Sequence, residues 1–271
     1  MRTRIETASA GRIRMDYFRF GKGERNLVIL PGLSVESVMK YADTVAEAYQ
    51  PLADEFTIYV LDRRKELPPA YSVDAMAEDT AAVIRTLMPG PACLFGASQG
   101  GMIAMAAAAG YPELADRLVL ASTSARVTAE QYRTIESWVR TAKSGDAGAL
   151  CLSFAEAVYP PEVFEQAREQ LAAGAESVTE EDLRRFVILA EGTKGFDAEE
   201  RLQRIACPVL LTGSRDDRVL GCGAAQRIAD RLEGRADFEY CLYDGFGHAA
   251  YDTAPDYKER MLRFLTRKFS D

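Results

Sequence analysis

The apolar positions of this chain fall into short continuous runs separated by stretches with helical spacing. Asn26–Leu30 (NLVIL) stops at Pro31-Gly32, which predicts a buried strand. Thr57–Leu61 (TIYVL), Ala92–Gly96 (ACLFG) and Leu118–Ala121 (LVLA) predict three more. Between them, Val38, Tyr41, Val45 and Tyr49 recur at helical spacing and predict a helix over Ser37–Leu52. Val73–Leu87 predicts another with Ser72 as N-cap, and Gly100–Ala109 an alanine-rich one. Continuous apolar strands alternating with helices imply a parallel sheet covered on both faces. Ahead of them, Arg14–Phe20 (RMDYFRF) alternates polar and apolar residues before Gly21-Lys22-Gly23, which predicts an antiparallel edge strand opening the sheet.

From about 126 to 205 the strand pattern disappears. Thr128-Ala129-Glu130-Gln131 reads as a capping box, after which Tyr132, Ile135 and Val139 share one helix face. Ser144-Gly145 stops that helix, Asp146 can cap the next, and Pro160-Pro161 breaks the chain again. Thr179-Glu180-Glu181-Asp182 begins a further helix that Gly192 ends. The expectation is an all-helical insertion, 126–205, in a core built from 1–125 and 206–271. Its excess of acidic residues reads as solvated helix surface. Sheet pattern resumes with Pro208–Thr212 (PVLLT) and Phe238–Tyr243 (FEYCLY), and Asp256–Phe269 predicts a final amphipathic helix.

Composition narrows the class. With 271 residues, 48% of them hydrophobic, the chain can bury one large core. Five scattered cysteines suit reduced thiols in a cytoplasmic protein, and a single histidine cannot build a His-rich metal site. The net charge of −8, with no Lys/Arg cluster, argues against nucleic acid as a partner. No apolar stretch reaches the ~20 residues of a membrane span, and no leader-like apolar segment follows Met1-Arg2-Thr3-Arg4. The expected partner is a small-molecule substrate, with no cofactor, no metal and no membrane; a homodimer is compatible with this reading.

The chemistry is concentrated in three places. Gly96-Ala97-Ser98-Gln99-Gly100 joins a predicted strand to a predicted helix, which sets Ser98 on a sharp turn with its hydroxyl exposed. Serine needs a base to act as a nucleophile at neutral pH, and the one imidazole available is His248, after the last predicted strand. Asp216-Asp217 follow the strand after the insertion. In open α/β sheets, ligand sites lie at the carboxyl ends of strands, where all three can converge.

In the order Ser…Asp…His, from about 14 to 269, the chain resembles the α/β-hydrolase family. The resemblance implies a mostly parallel, doubly wound sheet, with the helical insertion acting as a cap over the site. It also implies a triad of Ser98, His248 and an aspartate, and an oxyanion hole formed by the N–H groups of Gln99 and Leu33. Counting from Gly213 selects Asp216 as the acid; the residues that follow (Asp217-Arg218-Val219-Leu220-Gly221) select Asp217, which is preferred. The other aspartate is expected in solvent or capping the helix near Gly223. Two positions depart from the family pattern. Pro31 stands where a His is usual, and Asp62-Arg63-Arg64-Lys65 replaces an Asp-x-x-Gly-x-Gly turn.

The expected activity is that of a serine hydrolase acting on an ester or related acyl bond of a small neutral or apolar molecule. A serine at 98, where some relatives carry aspartate, argues against dehalogenase or epoxide-hydrolase chemistry. The same triad could run C–C bond hydrolysis, a lyase reaction or perhydrolysis, and a non-catalytic ligand receptor is the reading from another class. Taken singly, Ser98, His248 and the aspartates are turn, structural and cap residues more often than catalytic ones. Of the aromatics in the insertion, one to three are expected to line a pocket.

Overall fold

The computed structural model describes residues 3–269. Its sheet has eight strands: β1 (Ile5–Ala10), β2 (Ile13–Phe20), β3 (Arg25–Leu30), β4 (Phe56–Arg64), β5 (Ala92–Ala97), β6 (Ala115–Ala121), β7 (Val209–Ser214) and β8 (Phe238–Tyr243). Their order is β1-β2-β4-β3-β5-β6-β7-β8. β1 and β2 join antiparallel, β2 meets β4 antiparallel, and every pairing from β4 to β8 is parallel.

Both faces of the sheet are covered, as unbroken apolar strands require. Along β3, Val28 and Leu30 enter one core cluster while Leu27 and Ile29 enter the other. The first face is covered by α2 (Val73–Leu87), α3 (Gln99–Gly110) and α8 (Gly223–Leu232). The second is covered by α1 (Ala42–Ala48), the short α9 (Ala250–Thr253) and α10 (Tyr257–Thr266). Helix α3 is buried from Gln99 through Ala109, so its alanine-rich sequence has no polar face to offer solvent.

Three sequence expectations need correction. The edge strand is β1, with β2 inside it: IETASA buries only Ala8, so it has no apolar alternation to read, whereas Met15 and Phe18 of β2 are fully buried. The stretch 37–52 is a 3-10 turn (Val38–Tyr41), α1 and a second 3-10 turn (Gln50–Leu52) containing Pro51, whose missing N–H and fixed φ oppose a continuous helix. The last helix stops at Thr266, and Phe269 folds back to pack edge-on against Phe264.

Between β6 and β7 the chain forms α4 (Ala129–Lys143), α5 (Ala147–Val158), α6 (Pro161–Gly174) and α7 (Glu180–Glu191). Their starts follow the local sequence. Thr128 with Gln131 and Thr179 with Asp182 form complete capping boxes, Asp146 caps α5, and Pro161 occupies the first turn of α6. Four bonds fasten these helices to segments at the carboxyl ends of the strands, three of them loops and one the start of α3. Gln131 Nε2 donates to Leu220 O (2.7 Å), Arg218 to Tyr159 O (2.7 Å), Ala249 N to Val158 O (3.0 Å) and Gln99 Nε2 to Leu189 O (2.6 Å). Among the described residues, no helix is long and apolar enough to cross a membrane.

Candidate active site

Ser98 sits between β5 and α3 at φ 53°, ψ −120°, a conformation L-residues rarely adopt. Such strain costs on the order of 1–3 kcal/mol and survives only where the surroundings dictate it. Here they do. A Cβ on Gly96 would lie 2.3 Å from the Gly100 carbonyl oxygen, and one on Gly100 would lie 1.9 Å from that of Leu30. The flanking glycines therefore let β5, α3 and the end of β3 close on the serine. Ser98 N donates to Ala121 O (2.9 Å), and Thr123 Oγ1 donates to Ser98 O (2.7 Å).

His248 lies in the loop after β8, where Gly245 and Gly247 both take positive φ. Its Nδ1 is 2.8 Å from Asp217 Oδ2. Asp217 Oδ1 accepts the N–H groups of Val219 (2.8 Å) and Leu220 (2.9 Å). Burial by itself would raise this carboxyl; the facing imidazole and the two N–H donors overcome it and hold the group below the ordinary carboxylate range.

Asp216 does something else. It accepts from Ser214 Oγ (2.6 Å), Gly245 N (3.1 Å) and Gly247 N (2.9 Å). The alternative in which Asp216 faces the imidazole does not match this geometry, and neither does a cap near Gly223: α8 begins after Cys222 with no side-chain cap. The adjacent backbone amides of the histidine loop take its carboxylate first.

Ser98 and His248 line one cavity of about 270 Å³. Leu33 and Gln99 line it beside the serine, and a Cβ on Gly32 would come within 3.2 Å of Ser98 Cβ, so the loop after β3 passes close to the hydroxyl. Gln99 opens α3, so its N–H belongs to the first turn, which has no intrahelical acceptor. On one side the wall is formed by the insertion's Ile135, Trp138, Phe154, Val158 and Tyr159; on the other by Tyr49, Val60, Phe95 and Tyr251. The insertion aromatics in the wall are therefore Trp138, Phe154 and Tyr159. Phe164, Phe186 and Phe196 are buried elsewhere.

The second wall was missed by sequence reasoning. Its residues come from β4, β5, α9 and the turn after α1 and carry no shared motif. Two carboxylates also border the cavity, Glu36 and Asp252, each beside a lysine. Arg63, inside the run that departs from the family pattern, is buried and donates Nη2 to Pro31 O at 2.7 Å.

A family model described as "serine aminopeptidase, S33" matches residues 66–252, more than half of the chain. RutD of Agrobacterium fabrum, whose name assigns it provisionally to carbamate hydrolysis, is 28% identical over 229 residues, covering 80% of this chain and 85% of that protein. Among solved structures, the α/β hydrolase MGS-M2 from a Medee basin deep-sea metagenome library superposes with a TM-score of 0.86 at 20% identity, covering 98% and 99% of the two chains. The enol-lactonase of Burkholderia xenovorans LB400 gives 0.81 at 18% identity, covering 97% and 100%. Together with the eight-stranded sheet, these place the fold among the α/β hydrolases. The chain is a hydrolase and belongs to the serine aminopeptidase S33 family.

Proposed function

We propose that this hydrolase cleaves an ester, carbamate or related acyl bond of a small neutral molecule through a covalent acyl-enzyme on Ser98. One observation carries the reading: a serine held at φ 53° shares a 270 Å³ cavity with an imidazole whose Nδ1 is bonded to a buried carboxylate at 2.8 Å. With Nδ1 engaged by Asp217, the other ring nitrogen takes the Ser98 proton as Oγ attacks the substrate carbonyl. The oxyanion is received by the N–H groups of Leu33 and Gln99, the latter at the positive end of α3. His248 then protonates the leaving group, and water, deprotonated by the same imidazole, releases the acyl group and restores Ser98. In this reading the helices α4–α7 cap the site and shut out bulk water.

The cavity wall supports a neutral substrate. Among the described residues its lining includes no Lys or Arg to meet an anion. Each of its two carboxylates has a lysine partner: Glu36 accepts from Lys40 (2.7 Å), and Asp252 forms a looser ion pair with Lys258 (3.7 Å), burial holding its carboxyl above the ordinary range. A free amino terminus would need an unpaired carboxylate, so esters and carbamates suit this wall better than amino-terminal peptides. The relatives named for carbamate and enol-lactone substrates agree with acyl chemistry at such a site.

The test is a panel of chromogenic short-chain ester, aryl carbamate and aminoacyl anilide, with fluorophosphonate labelling. Ser98→Ala and His248→Ala should each abolish turnover of the first two. Full labelling of Ser98→Ala overturns the reading.

A further inference from the structure

Arg63 is 4% exposed and lies behind the cavity, outside its lining. Its Nη2 donates to the Pro31 carbonyl at 2.7 Å and to Gln99 Oε1 at 3.3 Å. Its Nε is buried and makes no hydrogen bond to the protein. A cation buried with incomplete pairing is expensive in free energy, and an apolar side chain of similar size would serve packing as well or better. Burial pushes the guanidinium pKa down to about 10, with Asp62 partly offsetting it, so the group is cationic at neutral pH.

Its two acceptors are informative. Pro31 precedes Leu33 by two residues in the loop after β3, and Gln99 is the first residue of α3. These segments carry the two N–H groups that must converge on one oxygen atom. The Gln99 amide is itself fixed, because its Nε2 is committed to Leu189 O of α7 at 2.6 Å, which leaves Oε1 to face Arg63. The backbone of Arg63 is fixed as well: its N–H donates to Asp62 Oδ1 at 2.7 Å, and the same carboxylate pairs with Arg185 of α7. One acceptor of the guanidinium, Gln99, and the Arg63 backbone itself thus both lead to α7.

We propose that Arg63 is a positioning residue, whose guanidinium sets the distance between the Leu33 and Gln99 N–H groups by tying the Pro31 carbonyl to the Gln99 side chain. The proposal rests on the acyl-transfer reading above. It acts through the backbone, not through the substrate, so its effect belongs to the transition state. In the ground state a substrate carbonyl makes weaker use of the two donors than the developing oxyanion does.

The experiment compares Arg63→Met, Arg63→Lys and Arg63→Ala with the wild-type chain on one chromogenic ester. A trifluoromethyl ketone, which adds to Ser98 as a tetrahedral oxyanion, serves as the second probe. Loss of a whole oxyanion donor costs about 10²–10³ in kcat, so misalignment should cost roughly 10–100-fold. The expected result is that fall in kcat for Arg63→Met with KM little changed, ketone affinity weakened by the same factor as kcat/KM, and partial recovery of Arg63→Ala in added guanidinium chloride at low millimolar concentration. Arg63→Lys, which keeps the charge, should retain more activity than Arg63→Met and gives the readout where Arg63→Met does not fold. The proposal is overturned if kcat stays within about twofold of wild type, or if losses track melting temperature across the three variants while ketone affinity is unchanged. A wild-type activity that survives Ser98→Ala would instead bring down the acyl-transfer reading itself.

Discussion

His248 Nδ1 and Asp217 Oδ2 are 2.8 Å apart with side chains only 3% and 4% exposed, while the adjacent Asp216 bonds to the backbone of the loop that carries His248. Two neighbouring acids therefore have separable roles under the proposed mechanism. Asp217→Asn should lower kcat by about 10³–10⁴-fold, because the imidazole loses the partner that sets its tautomer and stabilises its charged form. Asp216→Ala should cost less than about tenfold in kcat and lower the melting temperature, since two loop N–H groups lose their acceptor. Steady-state rates and thermal melts on both variants decide it. The reverse pattern would move the acid role to Asp216.

The same pair sets an acid limit on stability. Both carboxyls sit below their ordinary value: burial opposes this in each, and it is outweighed by the His248 imidazole at Asp217 and by the Ser214, Gly247 and Gly245 donors at Asp216. A depressed folded-state pKa contributes stability that is full above the unfolded value, about 3.9, and is lost as pH falls through the folded one. Melting temperature should therefore drop between about pH 5 and pH 3, and less steeply in Asp217→Asn than in wild type. Equal slopes in the two proteins would show that other groups set the limit.

Trp138 is the one tryptophan in the chain, and it lies in the cavity wall with its ring centroid 4.8 Å from that of Phe154. Its fluorescence should therefore report directly on occupancy. A slowly reacting ester added to Ser98→Ala should change the emission saturably, with a midpoint near the wild-type KM. Phe154→Ala should open the wall, shift preference toward longer acyl chains and red-shift the emission of the unliganded protein. An emission spectrum indifferent to ligand would place binding away from the α4–α5 side.

Much of this was legible in the chain because strong local rules coincide there. The runs that became β3 to β7 are apolar on both faces, so no register choice blurred them. The capping boxes at Thr128 and Thr179 mark helix starts by side-chain chemistry alone. Ser98 and His248 announce themselves through flanking glycines. Strand β1 did not, because IETASA is half exposed and held by its ladder to β2 instead of by an apolar face. The choice between Asp216 and Asp217 depends on which carboxylate the Gly245–Gly247 amides capture, a contact across 29 or more positions that spacing does not encode. Arg63 shows as an irregularity in sequence, and its partners Pro31 and Gln99 appear only once β3, β4 and α3 are side by side.

The two ends of α3 offer the sharpest check on how the serine turn is built. A Cβ on Gly100 would lie 1.9 Å from Leu30 O and 2.5 Å from Pro31 O, both backbone atoms that cannot swing aside. Gly100→Ala must push the start of α3 away from the loop that carries Leu33, so soluble yield, melting temperature and fluorophosphonate labelling should all fall. At the other end, nothing lies within 4 Å of a Cβ on Gly110, and its φ is not positive. Gly110→Ala reduces the freedom of the unfolded chain and improves helix propensity, so it should leave activity intact and stabilise by roughly 0.5–1 kcal/mol. Opposite signs from the same substitution in one helix separate close approach from propensity. A Gly100→Ala protein that melts and labels like wild type would mean the serine turn does not depend on contact between α3 and the end of β3.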